Sequence, residues 1–260
     1  MRKQFAIVAA FIMLAFSSCT KIEGELISQD FNVDGAYTEL EVSNAFEVTV
    51  SDAADCITVT AGENVMPKVV VEIVHNTLKI YLKPLTIASI SNLRVTLPYN
   101  PDLTSVDLSG ASSFHSEFPL RGEKVEVELS GASNFYDDIE AEVIEMDLSG
   151  ASNVFGGIYG DHLYIEASGA SDVKLEGYTT TLNVELSGAS NIKKNIVGDH
   201  YSLVCESCRG DISGASGAYI HCDGEISVAL SGASDLHYTG DATTDGCSLS
   251  GSSNIVHDKL

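Results

Sequence analysis

A four-letter phrase recurs along this chain: SGAS at 109–112, 130–133, 149–152, 168–171, 187–190, 213–216 and 231–234, then SGSS at 250–253. Successive copies start 21, 19, 19, 19, 26, 18 and 19 residues apart. A period near 19 restricts the fold to architectures that stack one small unit on the next. The residues ahead of each copy choose among them. Val125, Val127 and Leu129 alternate with Glu126 and Glu128. Leu163, Ile165, Ala167, then Leu182, Val184, Leu186, then Ile226, Val228, Leu230 repeat the pattern. Period two means a strand with one buried face. No 3.6-residue period intervenes, so no helix closes the repeat. The expectation is an all-β chain with a parallel β-helix over 105–260, about eight coils of ~19 residues, each ~4.8 Å above the last.

In such a stack each motif position becomes a column. Gly turns the corner without a Cβ penalty. Ala is expected to face inward there, with the serines bonding along their own columns. Asn134, Asn153, Asp172, Asn191, Asp235 and Asn254 become a ladder of amides and carboxyls, and stacked amides bond their neighbours. Phe114, Phe135, Val154, Val173, Ile192, Leu236 and Ile255 return to the core. The phrase repeats because each coil turns the same corner.

Residues 30–104 read as a smaller, partly antiparallel β region ahead of the coils. "VVVEIVHNTLKIYL" (69–82) is two alternating runs around His75-Asn76, a hairpin signal. "ELEVSNAFEVTV" (39–50) echoes the later motif, with Ser43-Asn44-Ala45 in place of Ser-Gly-Ala. Pro98 and Pro101 mark the join.

The first residues belong to targeting. Arg2 and Lys3 precede an apolar run from Phe5 to Phe16, then Ser17-Ser18-Cys19. That is a signal peptide over 1–18, too short to span a bilayer. Small residues before a cysteine resemble the bacterial lipobox, which makes Cys19 the lipidation site and 19–29 a tether. The membrane is then a partner through the anchor. The address is the cell envelope, as an outer-membrane lipoprotein, periplasmic or surface-exposed. The formal charge is −23, and −25 once Arg2 and Lys3 are lost (−23 − 2). Such a surface repels nucleic acid.

Two residues before successive motifs stand Asp107, Glu128, Asp147, Glu166 and Glu185, then Asp211. Stacked, the first five are a candidate cation column, with Ca²⁺ the cofactor it would suit; the plain alternative is a solvated face. "CESCRGDISGAS" (205–216) breaks the rhythm. Either about seven residues bulge out before Ser213, or 207–212 is a worn motif. The bulge is preferred because Ile212 suits the apolar position before the motif. Cys205 and Cys222 lie eight and nine residues before their motifs, which makes them a candidate disulfide. Cys205-x-x-Cys208 with His221-Cys222 raises zinc, but a second tight pair is missing. Arg209-Gly210-Asp211 spells a cell-binding tripeptide that needs a loop tip. Tyr136, Tyr159, Tyr164 and Tyr178 are read as sharing no single motif position. No catalytic set is readable.

"EVSNAFEVTV", "ENVMPKVVVEIVHNTLKIYLK", "RVTLPYNPDLTSVDLSGAS" and the recurring "LSGASN" together resemble the auto-transporter adhesin, head GIN domain family of Bacteroidota, over roughly Asp30 to the C-terminus. The resemblance implies an all-β fold with a β-helix, an envelope location and an adhesin role, with no catalytic residues. The function expected is a non-catalytic binding or structural module that presents a repetitive face to a glycan or protein surface ligand. The alternative is a polysaccharide-active hydrolase or lyase on the same scaffold, which needs a groove and paired carboxylates.

Overall fold

A computed structural model describes residues 24–84 and 92–260; Cys19 and the signal segment lie outside them. The expected all-β architecture holds. Parallel strands stack into a solenoid, and a small antiparallel part closes one end. Each turn of the solenoid has three faces. Along Ile139–Leu148, Ile139 and Ala141 are buried, then Ile144, Met146 and Leu148. Residues 142 and 143 are both turned outward, and that slip in the alternation is a corner. The SGAS phrase makes the next corner, and Asn153 begins the following face.

The rungs are in strict register. Leu129 pairs with Leu108 and Leu148, Leu148 with Ala167, and Ala167 with Leu186. These side chains form one buried column. Phe135 pairs with Phe114 and Val154 in the next column, where the two phenylalanine rings stack at 5.4 Å.

The corner differs from expectation in one respect. The alanines are exposed, and the second serines (Ser112, Ser133, Ser152, Ser171, Ser190, Ser216, Ser234) are buried. A buried hydroxyl loses free energy unless it finds a partner. Ser133 Oγ donates to the Ser130 carbonyl at 2.8 Å, and Ser152 and Ser171 repeat the bond to Ser149 and Ser168 at 2.9 and 3.0 Å. At these corners the serine ties its own turn; Ser234 also reaches the rung below through the Ile212 carbonyl at 2.9 Å, and the buried Ser190 and Ser216 hydroxyls have no partner among the described residues. Gly150 sits at φ +76°, and a Cβ there would stand 2.4 Å from the Gly131 carbonyl oxygen below. Both facts require glycine.

Strands Glu39–Val42 and Glu47–Ser51 do not precede the stack; they form a rung inside it. On one side they pair in parallel with Ser105–Leu108 and Ser113–Ser116. On the other they pair with Thr77–Leu82 and Arg94–Pro98. The Ser43-Asn44-Ala45 echo is thus a genuine corner, with Asn44 and Ala45 at positive φ. Counting this rung, the one at 77–98 and eight SGAS or SGSS rungs, the stack is about 48 Å long at ~4.8 Å each. Antiparallel strands close the end. Val69–Val74 pairs with Thr77–Leu82 through the expected His75-Asn76 turn, both residues at positive φ. Ile57–Gly62 covers the edge of Arg94–Pro98, and Leu26–Phe31 covers Ile57–Gly62. A sheet edge left bare would invite pairing with other chains.

Candidate binding face

One outward column carries most of the stacked charge. The register runs Glu41, Asp107, Glu128, Asp147, Glu166, Glu185, Asp211. The five predicted carboxylates do align, and two more extend them. Asp211 belongs because the irregular repeat is a bulge: Ile212 pairs with Leu186, and Ala215 N donates to the Gly188 carbonyl at 2.7 Å. Glu41 was missed, although it stands two residues before Ser43, the same offset as Glu128 to Ser130. Lys79 closes the column with an ion pair to Glu41. Unit charges ~4.8 Å apart repel by about 0.9 kcal/mol in water, and more where solvent is displaced. Asp107, half-buried between Glu41 and Glu128, shows the result. Burial raises its pKa first, and the two neighbouring carboxylates raise it further.

The adjoining column softens this field. Lys124 Nζ reaches both Glu126 and Glu145, and both contacts hold its pKa above the ordinary lysine range. A shallow groove of about 240 Å³ lies between the columns, lined by Glu128, Asp147, Glu166 and Tyr164 among others. Among the described residues, no group of three or more His, Cys, Asp or Glu is placed to hold a metal ion. The carboxylates come one per rung.

The next face carries the amide ladder. Asn153 Nδ2 donates to Asn134 Oδ1 at 2.9 Å, Asn191 to Asp172 at 3.1 Å, and Asn254 to Asp235 at 2.8 Å. As expected, the four tyrosines share no single position, though two of them coincide and Tyr164 pairs with Asn183. Tyr159 pairs in register with Tyr178, and Tyr136 stacks on Phe155 at 5.2 Å. Tyr159 and Tyr178 each stand nine residues before a motif, and that offset was the overlooked signal.

Arg209-Gly210-Asp211 lies inside the strand Leu203–Ile212 rather than at a loop tip. The bulge itself is residues 193–202, which include the hairpin strands Ile196–Val197 and His200–Tyr201. Tyr201 is fully buried beneath it, its hydroxyl donating to Asp258, which also contacts His237 Nδ1 at 2.9 Å. Cys205 and Cys222 occupy the same position on adjacent rungs and both point into the core. Cys208 is buried too, whereas the His221 ring lies outside against Thr239 and Asp223. The zinc grouping is therefore split by the sheet.

Asp137 sits at the far corner of its rung. Its Oδ1 accepts the Asp138 N–H at 2.8 Å, but the buried Oδ2 has no partner. Desolvation pushes its pKa up to about 7 from 3.8, with Asp138 adding repulsion and the Asp138 N–H opposing. A raised folded pKa means the fold keeps the proton that the unfolded chain releases. Stability is therefore highest below pH ~4 on this account and falls as pH rises to ~7. Asp137→Asn keeps the Oδ1 acceptor and removes the titration. Because the residue is only partly buried, we expect a gain of about 1–2 kcal/mol at pH 8 and none at pH 4. Thermal melts of both proteins at the two pH values test this, and an equal offset at both would refute it.

Comparison with known proteins follows this geometry. The family model described as putative auto-transporter adhesin, head GIN domain, matches residues 36–242. No curated protein matches the sequence. Three crystal structures share the fold. A putative adhesin from Parabacteroides merdae ATCC 43184 is 18% identical with a TM-score of 0.81, over 91% of this chain and 97% of that one. A putative lipid binding protein from Parabacteroides distasonis ATCC 8503 is 20% identical at 0.80, over 91% and 98%. A putative adhesin from the same organism is 17% identical at 0.75, over 90% and 95%. The family match covers most of the chain, all but the first cap strand and the last rung, so this chain belongs to the head GIN domain family of putative auto-transporter adhesins.

Proposed function

We propose that this chain is a cell-envelope lipoprotein whose β-helix acts as a non-catalytic, adhesin-like binding module. The observation that carries the reading is the register of the acidic face, continuous from Glu41 to Asp211. It turns outward side chains into long chemical columns that a repetitive surface ligand can follow rung by rung. The family description and the two structural neighbours called putative adhesins support the same role. The anchor rests on Cys19 and the run before it.

Cys19→Ala tests the anchor, because a single acylated cysteine is the proposed link. Wild type should fractionate with membranes and incorporate labelled fatty acid; the variant should do neither. A variant that stays membrane-bound with unchanged labelling overturns the lipoprotein reading. The released variant also serves as a soluble probe. Saturable binding of this labelled protein to bacterial cells or mucin, competed by unlabelled protein, is expected of a module. No saturable binding overturns the adhesin reading. Release of reducing ends from a polysaccharide panel would establish the enzymatic alternative instead.

A further inference from the structure

A sizeable cavity lies not on the solenoid faces but in the cap. It holds about 590 Å³, within the ~300–1,000 Å³ typical of small-ligand sites. The chain between strands Leu26–Phe31 and Glu39–Val42 forms one wall. The turn before Ile57 and the segment after Pro98 form the others. Asn100 braces two of these walls. Its Nδ2 donates to the Tyr37 carbonyl at 2.8 Å, and its Oδ1 accepts the Asp102 N–H at 3.1 Å. Tyr99 is held from behind, its ring 4.5 Å from Phe118 and its N–H donated to the Ser51 carbonyl. It remains 37% exposed and lines the cavity. Phe31 and Tyr37 add apolar surface, and burial pushes the Tyr37 hydroxyl pKa up.

The polar lining is one-sided. Asp34, Asp55 and Asp102 line the cavity, and among the described residues they engage no other side chain and no lysine, arginine or histidine joins them. A fixed aromatic ring offers a flat apolar platform. Free carboxylates accept hydrogen bonds from hydroxyls, and they repel anions. From this combination we infer that the cap cavity binds the end of an uncharged saccharide, with one sugar face on Tyr99 and its hydroxyls donating to Asp55 and Asp102. The inference rests on the binding-module reading and names the ligand class and the place. It adds a site for a saccharide end at the cap, beyond the columns that run along the solenoid.

The test is a glycan array probed with the labelled Cys19→Ala chain, alone and with further substitutions. Binding to neutral glycans is expected. Tyr99→Ala should lower it at least tenfold, Tyr99→Phe should keep it, and Asp55→Asn/Asp102→Asn should weaken it. Glu176→Gln, exposed on a middle rung away from both the cavity and the acidic column, should leave it unchanged. The Tyr99→Phe and double-Asn variants guard against a folding defect in Tyr99→Ala. Three results overturn the inference: no neutral glycan bound, binding confined to sialylated or uronate-bearing glycans or to ammonium compounds, or neutral binding that survives Tyr99→Ala. If neutral binding is instead lost in Glu128→Gln/Glu166→Gln, on the solenoid face, the cavity fails while the module stands. Loss of cell and mucin binding as well would fail both.

Discussion

Gly169→Ala is expected to cost about 3–5 kcal/mol, lowering the melting temperature by on the order of 10 °C for a chain of this size. Two separate costs add. Gly169 sits at φ +76°, a region where a Cβ costs ~1–2 kcal/mol. That Cβ would also stand 2.3 Å from the Gly150 carbonyl oxygen and 3.1 Å from the Gly150 nitrogen. Those atoms are backbone and cannot swing away. The Gly150 oxygen already accepts the Ala170 N–H at 2.7 Å, so relief means parting the rungs and losing that bond. Gly198 separates the two terms. It has φ +65° in the hairpin turn, but nothing lies within 4 Å of its would-be Cβ. Gly198→Ala should therefore cost only ~1 kcal/mol. Melts of the two variants side by side decide the matter. Equal losses would mean that the rungs are not pressed together at their corners as described.

This contrast shows what a repeat reveals and what it hides. The 19-residue period and the alternation before each motif already contained the strands, the parallel stacking and the acidic alignment. Each is a consequence of register, and register is written in spacing. Two features were not legible. Which of Ala and Ser turns inward at the corner depends on the backbone path after the glycine. Both residues are small, so size does not separate them. Only the bond from the Ser133 hydroxyl to the Ser130 carbonyl does. Rung order is the second. The chain lays down the 39–51 rung, leaves to build the 77–98 rung beneath it, then returns at Ser105 above it. Alternation gives each strand a buried face but not its neighbours. Ser43-Asn44-Ala45 was the one clue to membership of the stack. The cap cavity was hidden for a related reason: Tyr37, Asp55 and Tyr99 meet only through that crossing of the chain.

The second large effect is expected at Cys205 and Cys222, as a disulfide between adjacent rungs in the exported protein. Parallel neighbours in register have Cα atoms ~4.8 Å apart, inside the ~4.4–6.8 Å that a disulfide spans. Both side chains are buried on the same side of the sheet. The Cys205 thiol is held well above its ordinary pKa by its hydrogen bond to Cys222 and by burial. A buried thiol in that state is a poor nucleophile, so oxidation belongs to the folding chain before the rungs close. The two thiols lose two protons and two electrons to an envelope disulfide carrier, which becomes a dithiol. Cys208 is in register with Ile226 rather than with a cysteine, and Cys56 lies by Thr58 in the cap. The bond closes a loop of roughly 17 residues, worth about 3 kcal/mol. Reductant should then lower the melting temperature by on the order of 5–10 °C. Cys205→Ser/Cys222→Ser should melt near the reduced value and ignore reductant. Alkylation of the denatured wild type, purified without reductant, should label Cys56, Cys208 and Cys247 and add two sites after reduction. Five labelled thiols before reduction would show that the stack is held by packing and backbone hydrogen bonds alone.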